Sequence, residues 1–140
     1  MSTETDNIAV VRRFNDAFDR ADWDTMKSCV SKDVAAYATG RPGPMNFDEF
    51  VGMGQLFLDA FSQSRHIVAD QIAQGEVVAT RASWSAVHTG HFNGIPATGR
   101  PVRIDIMIFD RVRNGRIVEH FGQLDLPALM MQIGAMQAAA

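Results

Sequence analysis

The spacing of apolar residues changes once along this chain, from the period of helices to that of strands. Near the start, apolar residues recur three and four positions apart, as on one face of a helix: Ile8, Val11, Phe14 and Phe18. From about His66 onward, long segments have the alternating pattern of strands. Helices followed by a run of antiparallel strands predict an α+β fold, with the helices gathered on one face of the sheet.

Local capping signals place the other helices. Asp22 is a predicted N-cap for a short helix whose apolar face holds Trp23, Met26 and Val30. Asn46 and Glu49 have the spacing of a capping box, and apolar residues at helical spacing extend this third helix through Phe61. Asp125 can cap a closing helix.

Five segments have strand character, at about 33–39, 66–74, 76–90, 100–113 and 116–124. The last two are separated by Asn114 and Gly115, the residues that most readily accept positive φ in a two-residue turn. We therefore expect them to form an antiparallel hairpin.

Length and composition favour one globular domain over residues 1–140. The chain is 46% hydrophobic and 21% charged, which is ordinary for a globular protein. A net charge of −3, without a basic cluster, predicts no nucleic-acid or membrane partner. The first residues lack a signal-peptide pattern and no apolar run reaches about 18 residues, so we expect a cytoplasmic protein. Cys29, the single cysteine, is expected to pack as an apolar residue.

The strand over 100–113 indicates which side of the sheet faces the helices. Its uniformly apolar set should face inward, toward the helices and a pocket: Ile104, Ile106 and Ile108. Asp105 then points outward, as do Met107 and Phe109, with Phe121 beside them on the last strand. These outward apolar side chains would be exposed in a monomer, which predicts a homodimer.

Two segments carry a family resemblance. Residues 88–100, HTGHFNGIPATGR, and 115–121, GRIVEHF, resemble the most recognisable stretch of the SnoaL-like polyketide cyclases. The resemblance extends through 11–14, 21–24 and 124–126, and so covers nearly the whole chain. It implies a nuclear transport factor 2-like cone, in which a strongly curved antiparallel or mixed sheet, N-terminal helices and a C-terminal helix surround a pocket. Relatives, usually homodimers, use this pocket for polyketide ring closure, steroid isomerisation or epoxide hydrolysis.

The resemblance does not transfer any of these mechanisms intact. The acid/base aspartate of the characterised cyclases falls on Gly122, which cannot transfer a proton. The tyrosine and aspartate of the steroid isomerases match Phe14 and Ala38. Of the Asp-Arg-Asp set in limonene epoxide hydrolase-like enzymes, Arg81 matches the arginine, whereas Ser83 and Gly122 take the carboxylate places. Fold alone does not decide the reaction.

His120 is the predicted catalytic residue. Alternation places it on the pocket side of the last strand with Val118, Gly122 and Leu124, opposite Ile117, Glu119, Phe121 and Gln123. An ordinary histidine pKa of about 6.5 suits acid/base work, although a satisfied core histidine is the alternative.

The predicted ligand-binding residues combine apolar walls with polar groups. They are Tyr37, Trp84, His88, Ile106, Ile108 and Gly122. A structural role is the alternative for the polar and aromatic members. Trp84 can fill a core, His88 can support its loop, and Tyr37 can pack its ring while its hydroxyl is exposed to solvent.

Two classes of function remain open at this point. One is a cofactor-independent lyase, isomerase or hydrolase acting on a cyclic or carbonyl-bearing apolar substrate; the other is a non-catalytic ligand-binding or dimeric scaffold protein. We expect no metal, because His88, His91 and His120 lack the spacing of a metal site, and there is no phosphate loop or nucleophile elbow. Polar groups around His120 would favour an enzyme, and a filled or purely apolar cone would favour binding.

Overall fold

The computed structural model describes residues 3–135. Within them the elements are α1 Thr3–Asp19, α2 Trp23–Ser28, β1 Val30–Ala38, α3 Phe47–Ala60, β2 Phe61–Gln74, β3 Val77–His88, β4 Pro101–Arg113, β5 Arg116–Leu124 and α4 Leu126–Gln132. The predicted α+β class, with helices before a mainly C-terminal sheet, is confirmed. No helix in the described part of the chain is both long and apolar enough to cross a membrane.

The capping signals formed as expected. Asp22 accepts a hydrogen bond from the Thr25 amide at the start of α2, and Asn46 and Glu49 form a reciprocal capping box at α3. Asp125 caps α4. These bonds satisfy amides that have no partner inside the helix, so each helix begins at a defined residue.

Two helix ends were predicted too late. Val30 does not close α2, because the helix ends at Ser28 and Val30 begins β1. Phe61 does not continue α3, since its backbone is extended, with φ −130° and ψ 123°, and it begins β2. Both side chains are fully buried, which explains why their spacing also fitted a helix.

The sheet is mixed, with the order β1-β5-β4-β3-β2. β1 lies parallel to β5, and the other neighbours are antiparallel. The predicted hairpin between β4 and β5 is confirmed, because Asn114 and Gly115 have φ of 53° and 74°.

A β-bulge in β5 sets the register that matters for the site. Val112 pairs with Ile117 but Asp110 pairs with His120, so Val118 is an extra residue between them. Strict alternation had placed Ile117 outward, and this was wrong, since the bulge turns Ile117 into the core with 0% exposure. The same bulge brings His120 opposite Asp110 on the inner face.

The inner and outer faces of β4 are as predicted. The isoleucines point inward and are buried: Ile104, Ile106 and Ile108. Asp105 points outward, and Met107 and Phe109 are 58% and 56% exposed. The inner face carries two buried clusters, one packed by α1 to α3 and one packed by α4. Residues of both clusters line a cavity on this face.

Candidate active site

A cavity of about 400 Å³ lies against the inner face of the sheet. Its walls are mainly apolar, with Phe14 and Phe18 from α1, Phe50 and Phe57 from α3, and the three inward isoleucines of β4. This size and character suit a small organic ligand, whose orientation would be set by a few polar groups.

His120 and Asp110 form a buried pair at the wall of this cavity. His120 Nδ1 lies 2.6 Å from Asp110 Oδ1. The side chains are 10% and 2% exposed, and His120 lines the cavity. In the described part of the chain, His120 is the one hydrogen-bond partner of the Asp110 carboxylate. Since a buried carboxylate is costly unless paired, Asp110 depends on His120.

The hydrogen bond to Asp110 determines which His120 nitrogen is available for chemistry. An ionised carboxylate can only accept, so Nδ1 must carry a hydrogen. In the neutral ring Nε2 then holds the lone pair and is the atom that can take a proton. This is the arrangement by which an aspartate orients a histidine base in many enzymes.

Aromatic side chains and a glycine fix the His120 ring. Its centroid lies 4.8 Å from the Phe50 ring and 6.3 Å from the Phe14 ring. A Cβ built on Gly122 would come within 2.9 Å of Nε2. Gly122 also lines the cavity, so the side of the His120 ring next to Gly122 faces the ligand space.

A second histidine–aspartate pair is formed by His66, which lines the same cavity, and Asp19 behind it. His66 Nδ1 lies 2.8 Å from Asp19 Oδ1, and the His66 amide donates to Oδ2. Ser64 donates its hydroxyl to Asp19 and accepts the indole hydrogen of Trp84. The Phe18 ring meets His66 edge-on at 5.6 Å. His66 is therefore held from several sides.

The Asp19 carboxyl is stabilised in its ionised form. Partial burial acts to raise its pKa, but the hydrogen bond with His66, the charge of that ring and the donors on Ser64 and the His66 backbone outweigh burial. The net effect lowers the pKa of Asp19 below its ordinary value of 3.8.

Most residues predicted from the sequence to bind ligand do line the cavity: Trp84, Ile106, Ile108 and Gly122. Tyr37 borders it too, but its ring stacks on Phe121 at 4.5 Å with planes 1° apart. Because Phe121 pairs with Phe109 on the outer face, most of the Tyr37 ring lies on that side. The ligand contacts themselves stay predictions.

His88 lies outside the group of residues that line the cavity. It is fully buried, and its Nδ1 accepts the Thr98 amide hydrogen at 3.3 Å and lies 2.9 Å from the Thr98 hydroxyl. Its Nε2 has no partner within residues 3–135. These contacts tie the two ends of the 88–98 loop together, so the geometry favours the structural alternative for His88.

Some residues of this chain match catalytic positions of other enzyme types by resemblance. Some of them line the cavity, and another lies on the outer face of the sheet. Phe14 and Ala38 line the cavity but carry no acid or base. Arg81, the match to the epoxide hydrolase arginine, is exposed on the outer face, where it pairs with Asp70. Its guanidinium therefore points away from the ligand space.

Sequence reasoning missed the two aspartates and His66 as site residues. Asp110 follows Ile108 by two positions, so its inward direction could have been found from the period of β4. Asp19 and His66 are 47 residues apart, and nothing local in the sequence connects them. Within residues 3–135 no cluster of histidine, cysteine and acidic side chains has the arrangement of a metal site.

The chain matches a family model described as SnoaL-like polyketide cyclase over residues 8–133. Among curated proteins, no sequence matches it at a significant level. The family match extends from α1 into α4 and so includes every element of the cavity wall.

Solved structures similar to this chain have the same fold. AclR of Streptomyces galilaeus, a proposed hydroxylase, is 22% identical with a TM-score of 0.89, covering 99% of this chain and 87% of its own. IdmH of Streptomyces antibioticus, a proposed polyketide cyclase, is 28% identical with a TM-score of 0.83, covering 91% and 98%. An M. tuberculosis LEH-like epoxide hydrolase is 15% identical with a TM-score of 0.76, covering 94% and 92%.

Proposed function

Because the chain belongs to the SnoaL-like polyketide cyclase family, we propose that its cavity is the active site of a cofactor-independent enzyme. The substrate class is a small, largely apolar molecule that is cyclic or carries a carbonyl group, and the reaction is of the cyclase or isomerase kind. One observation carries this proposal: a buried histidine–aspartate pair, His120 and Asp110, stands 2.6 Å apart at the wall of an apolar cavity.

The proposed chemistry starts at His120 Nε2. This atom takes a proton from a carbon beside a carbonyl group, and the electrons of the C–H bond pass into an enolate. Asp110 keeps the ring in the required tautomer and stabilises the imidazolium while it holds the proton. The imidazolium then returns the proton to the oxygen or carbon that carries negative charge after ring closure or double-bond migration.

Gly122 supports this assignment. By resemblance, the cyclases carry their acid/base aspartate at this position, and a glycine cannot replace its chemistry. The His120 ring reaches across instead, with Nε2 2.9 Å from the place where a Cβ on residue 122 would stand. An ionisable atom is therefore present next to the place of the aspartate, but it is supplied by a different residue.

The other polar groups of the cavity also favour an enzyme. Besides His120, further polar residues line this space, among them Thr39, Asn93 and Gln123. A developing enolate needs donors placed where its charge appears, and a purely apolar binding cavity would have none. Of the two related chemistries, ring closure is favoured over epoxide hydrolysis because Arg81 faces away from the cavity.

We also propose that the protein is a homodimer that uses the outer face of the sheet. One row of paired residues crosses this face, and its apolar members are Ile72, Ala79, Phe109, Phe121 and Tyr37. Phe109 and Phe121 are 56% and 43% exposed, and Met107 beside them is 58% exposed. A second copy of the same face would cover them, and charged pairs such as Arg81 with Asp70 would form the polar rim.

A thermal-shift screen with cyclic ketones, lactones and epoxides tests the proposed function, because a bound ligand stabilises the fold by mass action. We expect some of these compounds to raise the melting temperature. His120→Gln should keep much of this shift but lose turnover of the same compound. A compound that binds and is never converted by the unsubstituted protein would support the alternative of a non-catalytic binding protein.

A further inference from the structure

The His66 end of the cavity contains polar groups that the proposed proton transfer does not use. His66 pairs with Trp84 in the sheet register and so faces inward, as its place in the cavity wall requires. It contacts Phe18, whereas His120 contacts Phe14, one helical turn or about 6 Å earlier on α1. The two histidines therefore serve different parts of one ligand space.

Asp19 fixes the hydrogen-bonding character of His66. Asp19 is the last residue of α1, where a carboxylate is disfavoured by the helix dipole, and it is held by donors on Ser64 and His66. Because this ionised carboxylate only accepts, Nδ1 of His66 donates to it. In the neutral ring Nε2 is then an acceptor that is directed away from Asp19.

Asn15 adds an unpartnered amide at the same place. Its residue is only 6% exposed, and it lines the cavity. Throughout residues 3–135, neither the Asn15 amide nor Nε2 of His66 has a protein hydrogen-bond partner. Because Asn15 lines the cavity, its amide can bond to water or to a ligand there, and a polar group without a protein partner normally does so.

Both residues also form the wall toward an outer cleft. This second cleft, of about 330 Å³, is lined by Asn15 and His66 together with Arg12, Asp16 and Gln71. The wall between cavity and cleft is therefore polar on both sides. A polar ligand group bound here would lose less hydration than one bound among the phenylalanines and isoleucines.

We propose that His66 and Asn15 form a subsite for a hydroxyl group of the ligand, phenolic or enolic, at a distance from the carbon that His120 deprotonates. The hydroxyl donates to Nε2 of His66 and accepts from the Asn15 amide. An aromatic hydroxyl fits best, because Phe18 and Trp84 stand beside His66. This subsite rests on the proposed function, since it requires a ligand in the cavity.

Two matched probes test the subsite: 1-tetralone, and 6-hydroxy-1-tetralone, which differs from it by one phenolic hydroxyl. Dissociation constants are measured by calorimetric or NMR titration. We expect the unsubstituted protein to bind the hydroxylated probe about fivefold to tenfold more tightly, the effect of one net hydrogen bond. His66→Phe should abolish this preference while 1-tetralone still binds. His91→Ala, at an exposed position of the cavity rim, is the control and should retain the preference.

A second readout needs no substitution and so holds even if His66→Phe fails to fold. In the unsubstituted protein, the ¹⁵N resonance of His66 Nε2 should shift with the hydroxylated probe and not with 1-tetralone. Equal affinities for the two probes, or an unmoved His66 resonance, would overturn the subsite and leave the cavity intact. Failure of both probes to bind at millimolar concentration would contradict the proposed function and the subsite together.

Discussion

His120 Nε2 stands 2.9 Å from the point that a Cβ on Gly122 would occupy. Real Cβ atoms do not approach other atoms so closely, so the ring orientation and the glycine depend on each other. The ring can lie over residue 122 because that residue has no side chain, and Asp110 holds the ring there from the opposite nitrogen.

Gly122→Ala should therefore disturb the ring while the fold survives. The atom in contact is the end of a side chain rather than backbone, so His120 can rotate away, at the expense of its bond to Asp110. We expect turnover, or proton exchange on a probe, to fall by at least about tenfold, and the free energy of unfolding to fall by about 1–3 kcal/mol because the buried pair is broken. Kinetics and thermal melts of the two proteins check this. Unchanged kinetics would mean that the ring orientation is not used.

Asp110→Ala should destabilise the fold because it leaves Nδ1 of a buried histidine without its acceptor. We expect a loss of about 1–3 kcal/mol in the free energy of unfolding, the usual cost of an unsatisfied buried polar group. Asp105→Ala is the matched control, since Asp105 lies on the same strand but on the exposed face. Its effect should stay within about 0.5 kcal/mol. Equal losses in urea denaturation would argue against the buried pair.

The fold was predictable because periodicity decides element type and face. The alternation of Ile104, Ile106 and Ile108 gave the inner face of β4, and the turn at Asn114 and Gly115 gave the hairpin. Helix ends were less predictable, because the position of a buried aromatic such as Phe61 fits the helical spacing as well as the spacing of a strand. Periodicity describes which side chains are buried, and it does not say where one element passes into the next.

The site was only partly predictable, for two physical reasons. Counting back from the hairpin turn pairs Asp110 with Glu119, and only the bulge at Val118 moves His120 into that place. A bulge leaves no clear sequence signal here. The contact of Asp19 with His66 depends on how α1 packs on β2, a tertiary relationship that local patterns do not contain.

Acid should weaken the protein partly through Glu76. Hydrogen bonds from Arg113 lower the pKa of Glu76 from 4.5 to about 2. Desolvation opposes this shift, and the charges of Arg113 and Arg111 add to it. A carboxyl with a lowered folded pKa contributes stability above its unfolded pKa and loses it as pH falls through the folded value. Between pH 4.5 and about pH 2, the free energy of unfolding should fall less steeply in Glu76→Gln than in the parent protein. Urea denaturation at several pH values measures both slopes, and parallel curves would contradict the assignment.

Phe109→Asp should convert the proposed dimer to a monomer, because it places a charge in the centre of the apolar row on the outer face. Sedimentation at micromolar concentration should then change from twice the chain mass to 15.4 kDa. Leu56→Asp is the control, since Leu56 is 69% exposed on α3 and does not lie on that face. A parent protein that sediments only at 15.4 kDa would exclude the dimer.

If His120, held by Asp110, transfers protons inside the cavity, the protein should catalyse hydrogen–deuterium exchange on a bound ketone. ¹H NMR follows loss of the C2 protons of 1-tetralone in D₂O, with and without protein. The protein should accelerate this exchange, His120→Gln should remove about 100-fold or more of the acceleration, and His91→Gln should leave it unchanged. Exchange that is equally fast with His120→Gln as with the parent protein would mean that His120 does not transfer the proton.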